Sequence, residues 1–255
     1  MSKFYELVDV IKKLRAPDGC PWDREQTLET LKPHLLEETY EVLEAMDKGG
    51  DELKGELGDL LLQVVFQSNI SEEKGEFNID DVVDSIKNKM IRRHPHVFQD
   101  SSLAETSEEV LINWEKIKMS EKEHSNRKSI LDGIPKGLPA LMVAEKMQKK
   151  ASKVGFDWPD ISGVIDKVEE EIDELRDEIM SDKIESIEEE LGDLFFAMVN
   201  LARHLNINPE LCLNKASKKF DERFRYIEGK CNLEEATLED MDNLWEEAKK
   251  IKKNF

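Results

Sequence analysis

Two acidic patterns occur twice in this chain, in the same order and at nearly the same separation. Glu37-Glu38-Thr39-Tyr40-Glu41 precedes Glu56-Leu57-Gly58-Asp59-Leu60, and Glu170-Glu171-Ile172-Asp173-Glu174 precedes Glu190-Leu191-Gly192-Asp193-Leu194. Taken alone, one E-x-x-E in an acidic chain is ordinarily a solvated helix face. Recurrence with identical spacing inside each pair points to a shared task. Carboxylates three apart project about one turn along one helix face. Each copy therefore offers four acids on two helices: Glu38, Glu41, Glu56 and Asp59 in the first, Glu171, Glu174, Glu190 and Asp193 in the second. Four converging carboxylates repel one another unless cations sit among them, and hard oxygen donors select Mg2+, or Mn2+ in its place.

The segments that must position these acids read as helices. Leu35, Leu36, Thr39, Val42, Leu43 and Met46 fall on one arc, as do Val168, Ile172, Leu175 and Ile179, and as do Leu57, Leu60, Leu61, Val64 and Val65. Asp193 runs into Leu194-Phe195-Phe196-Ala197-Met198-Val199, which places its carboxylate at the edge of a core, and Gly58 and Gly192 would allow close helix approach. Gly49-Gly50 reads as a loop between the acidic helices. Asn208 before Pro209 marks a helix start, and Thr106-x-x-Glu109 and Thr237-x-x-Asp240 read as capping boxes. With no sustained strand alternation, the expected fold is all-α, each half an antiparallel bundle of four or five helices.

The charge balance narrows the partners. Asp and Glu number 57 against 37 Lys and Arg, a net charge of -20, which disfavours direct nucleic-acid or anionic-membrane binding. Leu194 to Ala202, the most apolar stretch, is too short to span a bilayer, and Met1 to Arg15 lacks a signal-peptide core. Cys20, Cys212 and Cys231 are far apart and signal neither a disulfide framework nor zinc, so a soluble, cytoplasmic protein is expected. Against this background Lys215, Lys218, Lys219, Arg223 and Arg225 gather on one segment, and Lys87, Lys89, Arg92 and Arg93 on another. Such cations either hold phosphate oxygens or pair with surplus glutamates. Trp114 and Trp245 either stack on a base or pack, and Trp22 and Trp158 lie in matching turn segments before the acidic helices. The histidines are scattered, and the single E-x-x-H, Glu121 to His124, does not make a ferritin-like di-iron site. No G-x-x-x-x-G-K-[ST] loop and no G-x-S-x-G elbow occurs.

The internal correspondence continues downstream. Lys89 to Arg93 matches Lys219 to Arg223, and Trp114 with Lys118 matches Trp245 with Lys249. Between the copies, Ser120 to Arg127 is almost wholly polar and Gly133-Ile134-Pro135-Lys136-Gly137 supplies breakers. The expected division is a first domain over 1–124, a linker over 125–136 and a second domain over 137–255.

These duplicated motifs resemble the MazG nucleoside triphosphate pyrophosphohydrolases, as do Gly19-Cys20-Pro21-Trp22-Asp23 and Arg92-Arg93-His94-Pro95-His96-Val97-Phe98. The resemblance covers nearly the whole chain. It implies two tandem MazG-like helical bundles completed by homodimerisation, with Mg2+-dependent cleavage of NTPs or dNTPs between the α and β phosphates by a metal-activated water. It makes Glu171, Glu174, Glu190 and Asp193 metal ligands and catalytic residues, alongside Lys219 and Arg223, with Trp245 and Lys249 as further nucleotide contacts. By the internal match, Glu38, Glu41, Glu56 and Asp59 become ligands in the first half, with Lys89, Arg93, Trp114 and Lys118 around the nucleotide. Glu37, Glu170 and Glu189 remain alternatives for orienting the attacking water. A sister enzyme acting on dUTP or phosphoribosyl-ATP, and a non-catalytic regulator that binds a partner through its acidic helices, are the competing readings. The second half is expected to carry the better nucleotide site, because its basic helix runs uninterrupted from Lys215 through Arg225 while the first copy meets His94-Pro95 directly after Arg93.

Overall fold

A computed structural model describes residues 2–100, 103–120, 128–181 and 184–251. The chain divides into two units, Met1–Ser125 and Asn126–Phe255. The Glu121 to His124 pair, and the chain on either side of Ser125, lie outside the described residues. Among those residues every regular element is helical.

The first unit comprises α1 (Lys3–Arg15), α2 (Pro21–Glu25), α3 (Leu31–Lys48), α4 (Gly50–Glu73), α5 (Ile79–Arg93), α6 (Pro95–Phe98) and α7 (Ser107–Ser120). The second comprises α8 (Ala140–Ser152), α9 (Ile161–Ser181), α10 (Ile184–His204), α11 (Pro209–Glu228) and α12 (Leu238–Ile251). The first unit exceeds the expected helix number because Pro21 and Pro95 each open a short extra helix, α2 and α6; proline's fixed φ suits the first helical position. Trp22 therefore lies in a short helix, whereas Trp158 lies in a turn.

The acidic helices form a hairpin in each unit, α3 against α4 and α9 against α10. The Gly49-Gly50 loop is a bare corner: Gly49 at φ 70 and Gly50 at φ 60 reverse the chain in a left-handed conformation that side chains resist. The expected caps are present. Asn208 accepts a hydrogen bond from Leu211 N at 3.0 Å, and Thr106 with Glu109 and Thr237 with Asp240 close reciprocal boxes. Asn78 and Asp81 form a third box at the start of α5.

Both cores mix apolar and polar side chains: on α4 of the first unit Gln63, Ser68, Asn69 and Ser71 are buried. In the first, Val8 and Ile11 of α1 pack with Leu31, Val65, Phe66, Ile70 and Ile79. In the second, Val164, Val168, Ala197 and Val199 are buried together with the polar Glu145, Gln148, Glu171 and Asn200. Two expectations are corrected. Asp193, expected at the edge of a core, is exposed, because Phe195, Phe196 and Met198 beside it are themselves exposed in the single chain. A Cβ at Gly58 or Gly192 would meet nothing within 4 Å, so neither marks a close approach inside its unit. The apolar arcs are only partly covered: Leu36, Met46, Ile172 and Ile179 stay exposed, since a two-helix hairpin hides only one side of each helix.

Candidate functional site

The hairpins gather three acids of each expected quartet. Carboxylate oxygens of Glu38, Glu56 and Asp59 lie within 4.8 Å of one another in the first unit, and those of Glu171, Glu174 and Glu190 do so in the second. Glu41 and Asp193 stand outside these trios but near enough to act on them. Burial, then Asp59, Glu41 and other acids push the Glu38 carboxyl above the usual carboxylate range. Burial, followed by Glu174, Glu171 and Asp193, does the same to Glu190.

Glu171 distinguishes the second cluster. It is 4% exposed; its Oε1 pairs with Lys167 Nζ at 2.7 Å, and its Oε2 is buried without a hydrogen-bond partner. A buried ionised oxygen without a donor is costly. Three mutually repelling carboxylates with an unmet oxygen fit a hard divalent cation, and the donor set is all oxygen.

A cavity of about 510 Å3 adjoins this cluster. Glu171 and Asp193 line it together with Lys167, Gln148, Asn200 and Arg203, and with apolar and aromatic groups that include Phe156, Trp158 and Phe196. The turn bearing Trp158 is pinned. Arg203 Nη1 donates to Asp157 Oδ2 at 2.8 Å, His204 Nε2 lies 2.9 Å from Asp157 Oδ1, and Asn200 Oδ1 accepts from Arg203 Nε at 2.9 Å. The Arg203 guanidinium is the main cause holding the Asp157 carboxyl at about 2. Gly163 seats the indole, since a Cβ there would come 2.4 Å from Trp158 Cδ1.

Corresponding cation-aromatic shelves form in both units. The Arg223 guanidinium lies 5.2 Å from the Trp245 ring centre, and that of Arg93 lies 4.9 Å from the centre of Trp114, with Lys118 Nζ also at 4.9 Å. Lys249 shares a groove of about 550 Å3 with Lys215, Lys218, Lys219 and Arg223, although its Nζ is tied to Glu246. Lys219 and Arg223 thus lie in the groove of α11 and α12, not in the cavity lined by Glu171 and Asp193. Lys89 faces a separate groove with Phe77, Asp81 and Ile86.

Comparison with known proteins gives this geometry a lineage. A model of the MazG nucleotide pyrophosphohydrolase domain matches residues 26–98 and again residues 161–227. The two matches enclose both acidic hairpins. The chain belongs to the MazG family. It is 48% identical over 259 residues, 98% of each chain, to the nucleoside triphosphate pyrophosphohydrolase of Escherichia coli strain K12. It is also 48% identical over 252 residues to the nucleoside triphosphate pyrophosphohydrolase/pyrophosphatase MazG of Thermotoga maritima, covering 96% of this chain and 95% of that one. The uncharacterized protein YabN of Bacillus subtilis matches 98% of this chain at 46% identity, over 52% of its own length.

Within this MazG-family chain, several residues of the second unit's cavity carried no sequence signal. Lys167 could have been found, because it stands four residues before Glu171 on the same helix face. Gln148 and the Asp157, Arg203 and His204 group could not: their partners lie 46 to 48 residues away, joined only by folding. No helix among the described residues is long and apolar enough to cross a membrane.

Proposed function

We propose that this chain is a Mg2+-dependent nucleoside triphosphate pyrophosphohydrolase, with Mn2+ able to substitute, cleaving NTPs or dNTPs between the α and β phosphates to a monophosphate and pyrophosphate. The observation that carries the reading is the unmet Glu171 oxygen in a three-carboxylate cluster that opens onto a cavity of nucleoside size. Relatives at 48% identity over nearly the whole chain bear the name of that activity.

Glu171, Glu174 and Glu190 would hold the metal, with Asp193 completing the set from one helical turn beyond Glu190. Bound there, the metal supplies Lewis-acid polarisation of the phosphates and a water of lowered pKa. The chain's own groups do the rest. Lys167 releases Glu171 to the metal and is left as a cation beside the phosphates. Lys219, Arg223 and Lys249 neutralise the departing pyrophosphate, and Trp245 holds the Arg223 fork in place. Glu38, Glu41, Glu56 and Asp59, with Lys89, Arg93, Trp114 and Lys118, form the corresponding set of the first half.

The basic groove and the carboxylate cavity come together through a homodimer in this proposal. Leu57, Leu61 and Val64 are exposed on α4, and Leu191, Phe195 and Met198 are exposed on α10. These are the same three repeat positions, spaced to form one face, and a second copy would cover them. The domains run over 1–124 and 137–255, and the connector over 125–136 contributes Leu131 to the cavity wall. The charge balance and the apolar stretches suit a cytoplasmic protein without nucleic-acid or membrane partners.

Incubating the full chain with an NTP and Mg2+ and identifying the products tests the activity. Monophosphate with pyrophosphate is expected. Diphosphate with orthophosphate, or undiminished turnover in EDTA, would refute it.

A further inference from the structure

The cavity of the second unit holds one unmet polar group besides Glu171. Gln148 of α8 lines it and is 7% exposed. Its Nε2 donates to the Phe196 carbonyl at 2.8 Å. A backbone carbonyl only accepts, so this bond fixes which end of the amide is which. The other end, Oε1, is buried with no partner. The neighbouring amide oxygen, Asn200 Oδ1, is already taken by Arg203 Nε and Nη2. An unsatisfied acceptor costs stability, and native proteins rarely keep one without a use.

Resting on the pyrophosphohydrolase reading, we propose that Gln148 selects nucleotides whose base carries an exocyclic amino group, its Oε1 accepting that hydrogen bond from the cavity wall. Trp158, Phe156 and Phe196 offer apolar faces to a planar base. Glu171 and Asp193 line the same cavity, so a base lodged in it leaves its phosphates at the carboxylates. Cytosine and uracil nearly match in size; cytosine presents a 4-amino donor beside an N3 acceptor, where uracil presents a 4-carbonyl acceptor beside an N3–H donor. Cytosine satisfies Oε1. Uracil in the same pose sets its 4-carbonyl against Oε1 and leaves both acceptors unpaired, the kind of mismatch that discriminates between analogues.

Two readouts on the full chain test this. With Mg2+, kcat/KM for CTP should exceed that for UTP by about tenfold or more. Gln148→Met, which keeps volume and loses the acceptor, should bring the two within about twofold by lowering CTP, with helicity unchanged by circular dichroism. Calorimetric titration with CMP and UMP reads the same preference without turnover. Equal binding of CMP and UMP to the unaltered chain, or a preference that survives Gln148→Met, overturns the inference whatever the hydrolysis shows. A CMP preference with no hydrolysis of any triphosphate supports the inference while refuting the proposed activity. Hydrolysis without base preference does the reverse.

Discussion

The acidic hairpins of the two units hold their carboxylates alike, but what stands behind them differs. In the second, α10 presents Asn200 to a cavity that reaches Glu171. In the first, counting from the matched aspartates, Asn200 corresponds to Phe66, which is buried in an apolar cluster with Val8 and Ile11 and covered by the Arg15 guanidinium 5.4 Å above its ring. Arg15 is itself committed to Glu73 at 2.7 Å. Lys167, which grips Glu171, corresponds to His34, which lies 3.8 Å from Glu37. A carboxylate cluster can hold a metal in either unit, but a nucleoside needs a cavity beside it. The cavity beside Glu171 is the ground on which the proposal ranks the second unit first.

The largest expected effect breaks the metal cluster. Glu171→Gln should lower kcat by about a hundredfold or more, since a lost ligand costs several kcal/mol of transition-state stabilisation, and Asp193→Asn should follow it. Glu38→Gln and Asp59→Asn should leave most of the activity. Equal or reversed losses in steady-state assays would make the first unit a full catalytic site.

Next come the aromatic shelves and the seat of Trp158. Trp245→Ala should raise KM by about tenfold by removing a stacking surface under Arg223, and Trp114→Ala should change it little. Gly163→Ala pushes the Trp158 indole from its place and should raise KM several-fold with helicity retained. Unchanged kinetics would separate Trp158 from the nucleotide.

Gly192→Ala sharpens the assembly proposal. If α10 faced solvent at Gly192, alanine would stabilise the helix by about 1 kcal/mol. A second copy packed closely there would instead meet the new methyl, and the dimer should dissociate at higher concentration by analytical ultracentrifugation. Stabilisation with an unaltered mass would exclude close approach at that residue.

The smallest effects are those of pH, and they carry opposite signs. Asp157 is depressed from 3.8 to about 2, so its pairing with Arg203 and His204 stabilises the second unit fully above pH 4 and is lost as pH falls toward 2. Asp157→Asn should remove that acid-labile increment. Glu38 and Glu190 are raised, so in the metal-free chain their ionisation opposes folding, and stability should rise as pH falls through their raised values. Mg2+ should reverse that trend. Thermal melts with EDTA and with Mg2+ across pH 3 to 7 would read both, and a metal-independent profile would count against the clusters as metal sites.

Much of this was legible in the sequence because it is local. Spacings of three and four residues placed Glu171 near Glu174, Asn208 at a helix start and Thr106 opposite Glu109. Matching the two repeats singled out Arg223 and Trp245 separately, and only the structure brings the guanidinium onto the indole. What lay beyond reach was long-range. Gln148 sits on a helix without a motif, and only packing against α10 brings it to Phe196 and to the acids. The exposure of Asp193 was misjudged for a related reason: an apolar run reads as buried in sequence, whereas a single hairpin lacks the partner surface to bury it.

The central proposal is that the second unit holds the better nucleotide site. Calorimetric titration of the full chain with a non-hydrolysable triphosphate analogue and Mg2+ tests it most directly. The account predicts about one high-affinity site per chain, lost in Glu171→Gln and kept in Glu38→Gln. Two equivalent sites per chain, or a single site abolished by Glu38→Gln and spared by Glu171→Gln, would contradict it.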